Sequence, residues 1–342
     1  MTPDKAPELH LAHRLPPMDA ADQSLLVSIL GSAEPEFLSQ TVADICRQYL
    51  GQAISHCEFW EVSVSFTAGL TLANGERVVV KCRSPQNITL ETLQAVCQVQ
   101  QGLANQGFPC PRIIQHPVQH RSCYVTIEAL LDAGEHCNAH DPTVRRAMAT
   151  GLAQLLQMAQ PWINLPHLPR SRFHHPQWEK PHNALFDFER TAAGAEWIDA
   201  IAAAAKAIYA NSTTALVVGH MDWSAKNMRV AGQQLSAVYD WDSLRLEDER
   251  VVVGNAAKGF LVTWYVPVAT LVPTPSDVQQ FVQDYEMARG QPFTAADRAI
   301  IAAALHYSMA YTARCEHALD PEGKTLNGSF REALRNVSSY CL

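Results

Sequence analysis

Apolar residues recur at helical spacing through about 22 to 50, and from Ile54 to Lys81 the pattern changes to a period of two. There Val62, Val64 and Phe66 alternate against Glu61, Ser63 and Ser65, which predicts a sheet. Asn74-Gly75, between Leu70-Thr71-Leu72 and Arg77-Val78-Val79-Val80-Lys81, predicts a tight hairpin whose central residues need positive φ and whose second strand ends at Lys81. From Thr89 to Leu103 the apolar positions Leu90, Leu93, Val96, Val99 and Leu103 fall three and four apart, a helix stopped by Gly107-Phe108-Pro109. Tyr124 to Leu130 reads as another strand, running into a connector.

The pattern beyond is mostly helical. Asp141-Pro142 opens a helix with Val144, Met148, Leu152, Leu155 and Leu156 on one face, and Pro161 closes it. Residues 160 to 186 hold Pro, His and aromatic residues without periodicity and read as a surface connection or lid; His167, His174, His175 and His182 lack the spacing of metal ligands. Ala-rich stretches near 191 to 210 and 295 to 304 suit helices, and Ser276 and Thr294 (with Asp297 three on) read as helix caps. The apolar run Gly259 to Val272 is too short for a membrane span, and its Trp264 and Tyr265 read as helical core packing. Strands first and helices after predict an α+β protein of two lobes: a loose leader at 1–20, an antiparallel-sheet N-lobe at 21–130 and a mainly helical C-lobe at 131–342.

Composition narrows the function. In 342 residues, 47% hydrophobic and 18% charged, a formal charge of -8 leaves no general basic surface, which argues against nucleic acid or an anionic membrane as partner. The nine cysteines are scattered without a Cys-x-x-Cys pair, so neither a disulfide framework nor a thiolate zinc site is expected, and a cytoplasmic setting fits. The oligomeric state is not encoded in these patterns.

The chemistry concentrates in Leu216-Val217-Val218-Gly219-His220-Met221-Asp222-Trp223-Ser224-Ala225-Lys226-Asn227, followed by Met228-Arg229-Val230, a turn at 231–234, Leu235 to Tyr239 and Asp240-Trp241-Asp242. The turn folds Asn227 back beside Asp240, so an amide oxygen and a carboxylate can share one hard cation, as magnesium requires. The acidic run Asp242, Glu247, Asp248 and Glu249 is either solvated surface or a receptor for a cationic substrate.

This order of parts resembles the aminoglycoside phosphotransferase and choline kinase-like family, which has the protein-kinase fold. The resemblance covers about residues 50 to 260 and lies in Val79-Val80-Lys81, the 89 to 103 helix, the Tyr124 to Leu130 connector strand, His220 to Asn227, and Asp240-Trp241. It implies a protein-kinase-like two-lobe fold with ATP between the lobes. Asp222 would then be the catalytic residue, orienting and deprotonating an acceptor hydroxyl. Asn227 and Asp240 would hold Mg2+, Lys81 would bind ATP phosphates, and His220 would brace the loop. Two departures accompany it: Met221 stands where the family commonly has Gly, and no Gly-rich loop precedes Lys81. On the following helix Val96 or Cys97 falls where a lysine-pairing Glu is expected, leaving Glu91 one turn earlier, while Asp242 is a further carboxylate near the metal pair.

The expected function is transfer of the γ-phosphoryl group of ATP to a hydroxyl of a small molecule such as an aminoglycoside-like antibiotic, an amino alcohol or a sugar. The alternative is a catalytically silent nucleotide-binding sensor or interaction module. A metal-dependent phosphohydrolase ranks last, because it leaves Lys81 and the two-lobe pattern unexplained.

Overall fold

The computed structural model describes residues 18, 20–170, 178, 181, 185–209 and 216–342. The leader up to Pro17 and three of the four histidines noted above, His174, His175 and His182, lie outside the described residues. The chain divides into two compact units, Met1–Asn105 with Cys110–Leu131, and Gln106–Pro109 with Asp132–Leu342.

The first unit runs α1 (Ala20–Leu30), α2 (Pro35–Leu50), β1 (Ile54–Val62), β2 (Phe66–Leu72), β3 (Arg77–Arg83), α3 (Leu90–Asn105), β4 (Ile113–His120) and β5 (Cys123–Ala129). Its five strands form an antiparallel sheet in the order β1-β2-β3-β5-β4. Alternation along the strands sorts the side chains by face. Val78, Val80 and Cys82 of β3 join Val125 and Ile127 of β5 in a core closed by Leu26 and Ile29 of α1 and Leu38, Val42 and Ile45 of α2. Burial of each such branched side chain contributes roughly 1.5–3 kcal/mol. The opposite face carries Val79, Lys81 and Arg83 against Tyr124, Thr126 and Glu128, and α3 packs there through Leu93 and Cys97.

Three sequence expectations change here. The alternation around Val64 is a turn, not a continuous strand: β1 stops at Val62, and Val62 pairs directly with Phe66. Cross-strand partners share a face, so period two survives the reversal. At the Asn74-Gly75 turn only Gly75 has positive φ, at 85°. Asn74 instead accepts from the Glu76 amide through its side chain at 3.0 Å, the local bond that suits Asn to turns. Lys81 does not end β3, which continues to a buried Arg83 that donates to Thr126 Oγ1 at 2.8 Å.

The second unit contains α4 (Pro142–Met158), α5 (Glu196–Tyr209), β6 (Leu216–His220), β7 (Met228–Ala231), β8 (Gln234–Val238), β9 (Leu244–Asp248), α6 (Glu249–Gly259), α7 (Pro275–Arg289), α8 (Ala295–Leu319) and α9 (Phe330–Leu334). Strands β6 and β9 form one antiparallel pair, and β7 and β8 form another. Asp141 caps α4, and Thr294 with Asp297 makes a reciprocal capping box on α8. At α7 the cap is Thr274 with Asp277 rather than Ser276, because Pro275 occupies the first helical position and places Ser276 inside the turn. Helices α6 and α8 approach closely at Gly254, where an added Cβ would lie 2.5 Å from the Ile301 carbonyl oxygen.

Trp264 and Tyr265 are not core. They sit in an irregular segment and are 68% and 47% exposed. The helix ends at Gly259, and the carbonyls of Phe260 and Val262 accept from Ala225 N and Lys226 N at 3.2 and 2.8 Å instead of continuing a helical ladder. No helix among the described residues is long and apolar enough to cross a membrane.

Candidate active site

In the second unit the site begins where β6 delivers His220 to the loop 221–227, pinned by the pairing of His220 with Leu244 on β9. His220 is fully buried. Its Nδ1 accepts from the Asp222 amide at 3.3 Å and lies 3.0 Å from Ser243 Oγ, and its Nε2 donates to the Tyr239 carbonyl at 2.9 Å. Burial lowers its pKa against the opposing charge of Asp222, so the imidazole stays neutral. The ring ties the loop to the chain just before Asp240.

Asp222 is surrounded by donors. Lys226 Nζ lies 2.8 Å from Oδ2, Asn227 Nδ2 donates to Oδ2 at 3.0 Å, and Ser224 Oγ donates to Oδ1 at 3.2 Å. Burial alone would raise the carboxyl pKa, but the charge and hydrogen bond of Lys226, then His220 and Asn227, hold it down to about 2. Lys226 also lies over the Trp264 ring, 4.6 Å from its centroid.

Hairpin β7–β8 reverses through Gly232-Gln233, and Tyr239 N donates to the Asn227 carbonyl at 2.8 Å, so the chain beside Asn227 is the one that leads into Asp240. Asp240 adopts the left-handed conformation, φ 62° and ψ 53°, which Asp tolerates better than most residues. Trp241 and Asp242 follow in a single 3-10 turn. The helix-stop segment anchors this end: Val238 N donates to the Pro109 carbonyl at 2.7 Å, and Phe108 meets Trp241 edge to face at 5.8 Å. The Asn227 amide nitrogen is engaged by Asp222, which leaves its oxygen as the atom for a cation. No group of three His, Cys, Asp or Glu among the described residues could hold a metal by itself. An Asn oxygen and one carboxylate suit magnesium, which completes its shell with phosphate and water oxygens.

In the first unit Lys81 Nζ lies 2.6 Å from Glu128 Oε1, with both side chains largely buried. Gln100 of α3 donates to Glu128 Oε2 at 3.0 Å and to the Pro111 carbonyl at 2.8 Å. Glu91 is exposed in the first turn of α3 and is not the partner. The carboxylate comes from β5, diagonally across the face from Lys81, and α3 contributes an amide that orients it. Sequence reasoning missed Glu128, although Thr126 and Glu128 alternate with Val125 and Ile127, marking a polar stripe on the face of Lys81. It also missed Lys226, in the loop's own motif.

Three of the four residues of the acidic run, Glu247, Asp248 and Glu249, are engaged within the fold. Glu247 is fully buried and accepts from the Tyr209 hydroxyl at 3.0 Å, Asp248 caps α6 and pairs with Arg250, and Glu249 accepts from the Tyr285 hydroxyl at 2.7 Å. Burial in the β9–α6 corner explains why a charged run stays ordered: each carboxylate has its own donor.

Residues 64–292 match the phosphotransferase enzyme family. The chain belongs to this family. No curated protein matches the sequence. Among solved structures, the phosphotransferase-family chain has the fold of amicoumacin kinase hAmiN, in complex with AMP-PNP, Ca2+ and Ami, at a TM-score of 0.60 and 11% identity over 87% of this chain and 91% of that one. The thermostable mutant of aminoglycoside phosphotransferase APH(4)-Ia in its apo form matches at 0.57 and 12%, over 87% and 97%. Macrolide 2'-phosphotransferase MphH from Brachybacterium faecium matches at 0.53 and 13%, over 87% and 97%. These likenesses bear out the kinase-like α+β fold: an antiparallel sheet followed by a helical part.

Proposed function

We propose that this chain transfers the γ-phosphoryl group of ATP to a hydroxyl of a small molecule, with Asp222 as the base. The observation that carries this reading is the Asp222 carboxylate, held ionised by Lys226 while Asn227 is oriented by the same carboxylate. Asp222 aligns the acceptor hydroxyl and takes its proton. Lys81, fixed by Glu128, receives phosphate oxygens. Asn227 Oδ1 and the Asp240 carboxylate are the residues that would hold Mg2+, which when bound neutralises phosphate charge. His220 keeps the loop and the chain before Asp240 in register.

The family supports phosphotransfer, and the ATP analogue in the amicoumacin kinase complex supports ATP as donor. A silent nucleotide binder draws on two departures, the missing glycines before Lys81 and the missing Glu on the following helix; Glu128 supplies Lys81 with a carboxylate and so answers the second. None of the nine cysteines, all of them described residues, forms a disulfide, which supports a cytoplasmic setting.

The test is a panel of hydroxyl compounds incubated with ATP and magnesium, with product detected by mass. Asp222→Asn should retain nucleotide binding and lose roughly 10²- to 10⁴-fold in turnover. Unchanged turnover removes Asp222 from the mechanism.

A further inference from the structure

Lys258 lies on α6 one turn beyond Asn255, whose side-chain amide donates to the Met221 carbonyl at 2.6 Å and so fastens this face of the helix to the catalytic loop. The Lys258 ammonium stands over the Phe330 ring, 4.7 Å from its centroid, and no carboxylate of the described residues forms an ion pair with it. It is half-buried. The charges that act on it are those of Asp222 and Lys226 in the loop and of Cys315 and Glu316 on α8. Neither group on α8 closes an ion pair with it: burial pushes the Cys315 thiol up to about 12, so it is neutral, and the Glu316 carboxylate, which acts on Lys258 only through space, spends its two oxygens on backbone amides at the start of α9, Phe330 N at 3.0 Å and Arg331 N at 2.7 Å. Asp222 is matched by Lys226 at 2.8 Å.

A desolvated ammonium without a carboxylate partner costs free energy that an incoming anion would offset. Consistent with this, burial lowers the Lys258 pKa to about 8. The groups around Lys258 belong to α8 and α9 as well as to the loop that carries Asp222, so an anion held by Lys258 would stand beside that loop. Beside them the exposed Trp264 ring, already under Lys226, offers an apolar floor. Ammonium groups, by contrast, find Lys226 and Lys258, while Glu247, Asp248 and Glu249 are engaged elsewhere.

We infer that the acceptor is a small hydroxy acid, its carboxylate bound by Lys258, its carbon skeleton resting on Trp264 and its hydroxyl presented to Asp222. The inference rests on the phosphotransfer reading above and names its substrate class. The hydroxyl oxygen forms the new bond to the γ-phosphorus, its proton passes to Asp222, and the bond from that phosphorus to the β–γ bridging oxygen breaks, releasing ADP.

The experiment separates binding from transfer. Glycerate, 4-hydroxybutyrate and 3-phenyllactate, each beside its amide, are titrated calorimetrically into the full chain loaded with a non-hydrolysable ATP analogue and magnesium, and then assayed with ATP. The expected result is that at least one acid binds more tightly than its amide by about tenfold or more, that Lys258→Met abolishes this preference, and that Lys258→Arg restores most of it. Loss of the preference without loss of nucleotide binding shows that the variant is folded. An acid that binds through Lys258 but is never phosphorylated upholds the anion site and defeats the transfer reading. Equal binding of acids and amides by the wild type overturns the inference. So does a Lys258→Met variant that loses kcat equally on acid and amide with unchanged acceptor KM, since Lys258 then serves the transferred phosphoryl group.

Discussion

At the scale of single residues, Lys81 and Glu128 are the pair whose energetics are most exposed to test. Removing the charge of one member of a buried pair leaves the other uncompensated, at a cost of up to about 3 kcal/mol here, the lower end expected for buried pairs. Glu128→Gln should lower the urea midpoint and weaken ATP binding, while Glu91→Gln on the exposed first turn of α3 should change neither; calorimetry and urea unfolding compare them. Equal effects would return the role to Glu91. Asp240→Ala should weaken magnesium-dependent ATP binding more than Asp242→Ala, measured calorimetrically with and without magnesium, and a reversed order would make Asp242 the metal ligand. The spacing from Asp222 through Asn227 to Asp240 was legible because a short hairpin forces Asn227 and Asp240 together whatever surrounds it. Glu128 and Lys258 were not, because their partners lie on other elements and no local pattern joins them. The left-handed backbone of Asp240 was equally hidden, being a property of how the hairpin enters the next turn.

Among the elements, α6 does more than pack. It carries Asn255 against the loop and Lys258 beside it, and its distance from α8 is set by Gly254. Gly254→Ala places a methyl 2.5 Å from the Ile301 carbonyl oxygen and 2.8 Å from Ala304 Cβ, so the two helices must separate. Such overpacking costs roughly 1–3 kcal/mol. Gly259→Ala, whose new Cβ meets the Trp223 carbonyl at 3.7 Å, is the control and should be near neutral in urea unfolding. Helices with strong caps, α4 and α8, could be read from sequence because the cap chemistry is local. The segment after α6 could not: its apolar run continues, but tertiary bonds to the loop take its carbonyls and turn Trp264 outward. The β1–β2 turn escaped for a different reason, since alternation is the same on both sides of a reversal in which Val62 faces Phe66.

For the molecule as a whole, acid should weaken the second unit in two stages. His220 is buried and His136 and His306 are half-buried, and loss of solvent holds the pKa of each below the ordinary 6.5, so below that pH the unfolded chain takes up protons that the native chain does not, and stability falls as pH falls. Asp222 and Asp320, held at about 2 against an ordinary 3.8, add a second loss between those values. Among the described residues of the first unit only His120 and Asp44 are shifted in these directions. Urea midpoints followed by tryptophan fluorescence from about pH 7 down to about pH 3 should therefore decline throughout, and a midpoint that rises below about pH 6 would contradict the assignment of neutral buried histidines. The same indoles carry a spectroscopic consequence. Of the seven tryptophans, Trp60 alone belongs to the first unit, whereas Trp223 and Trp241 adjoin Asp222 and Asp240 and Trp264 lies open beneath Lys226. The protein thus carries its own label: a ligand settling on the solvent-facing indole should quench red-shifted emission, and one ordering the enclosed pair should alter the blue, so acceptor and nucleotide can be told apart by colour.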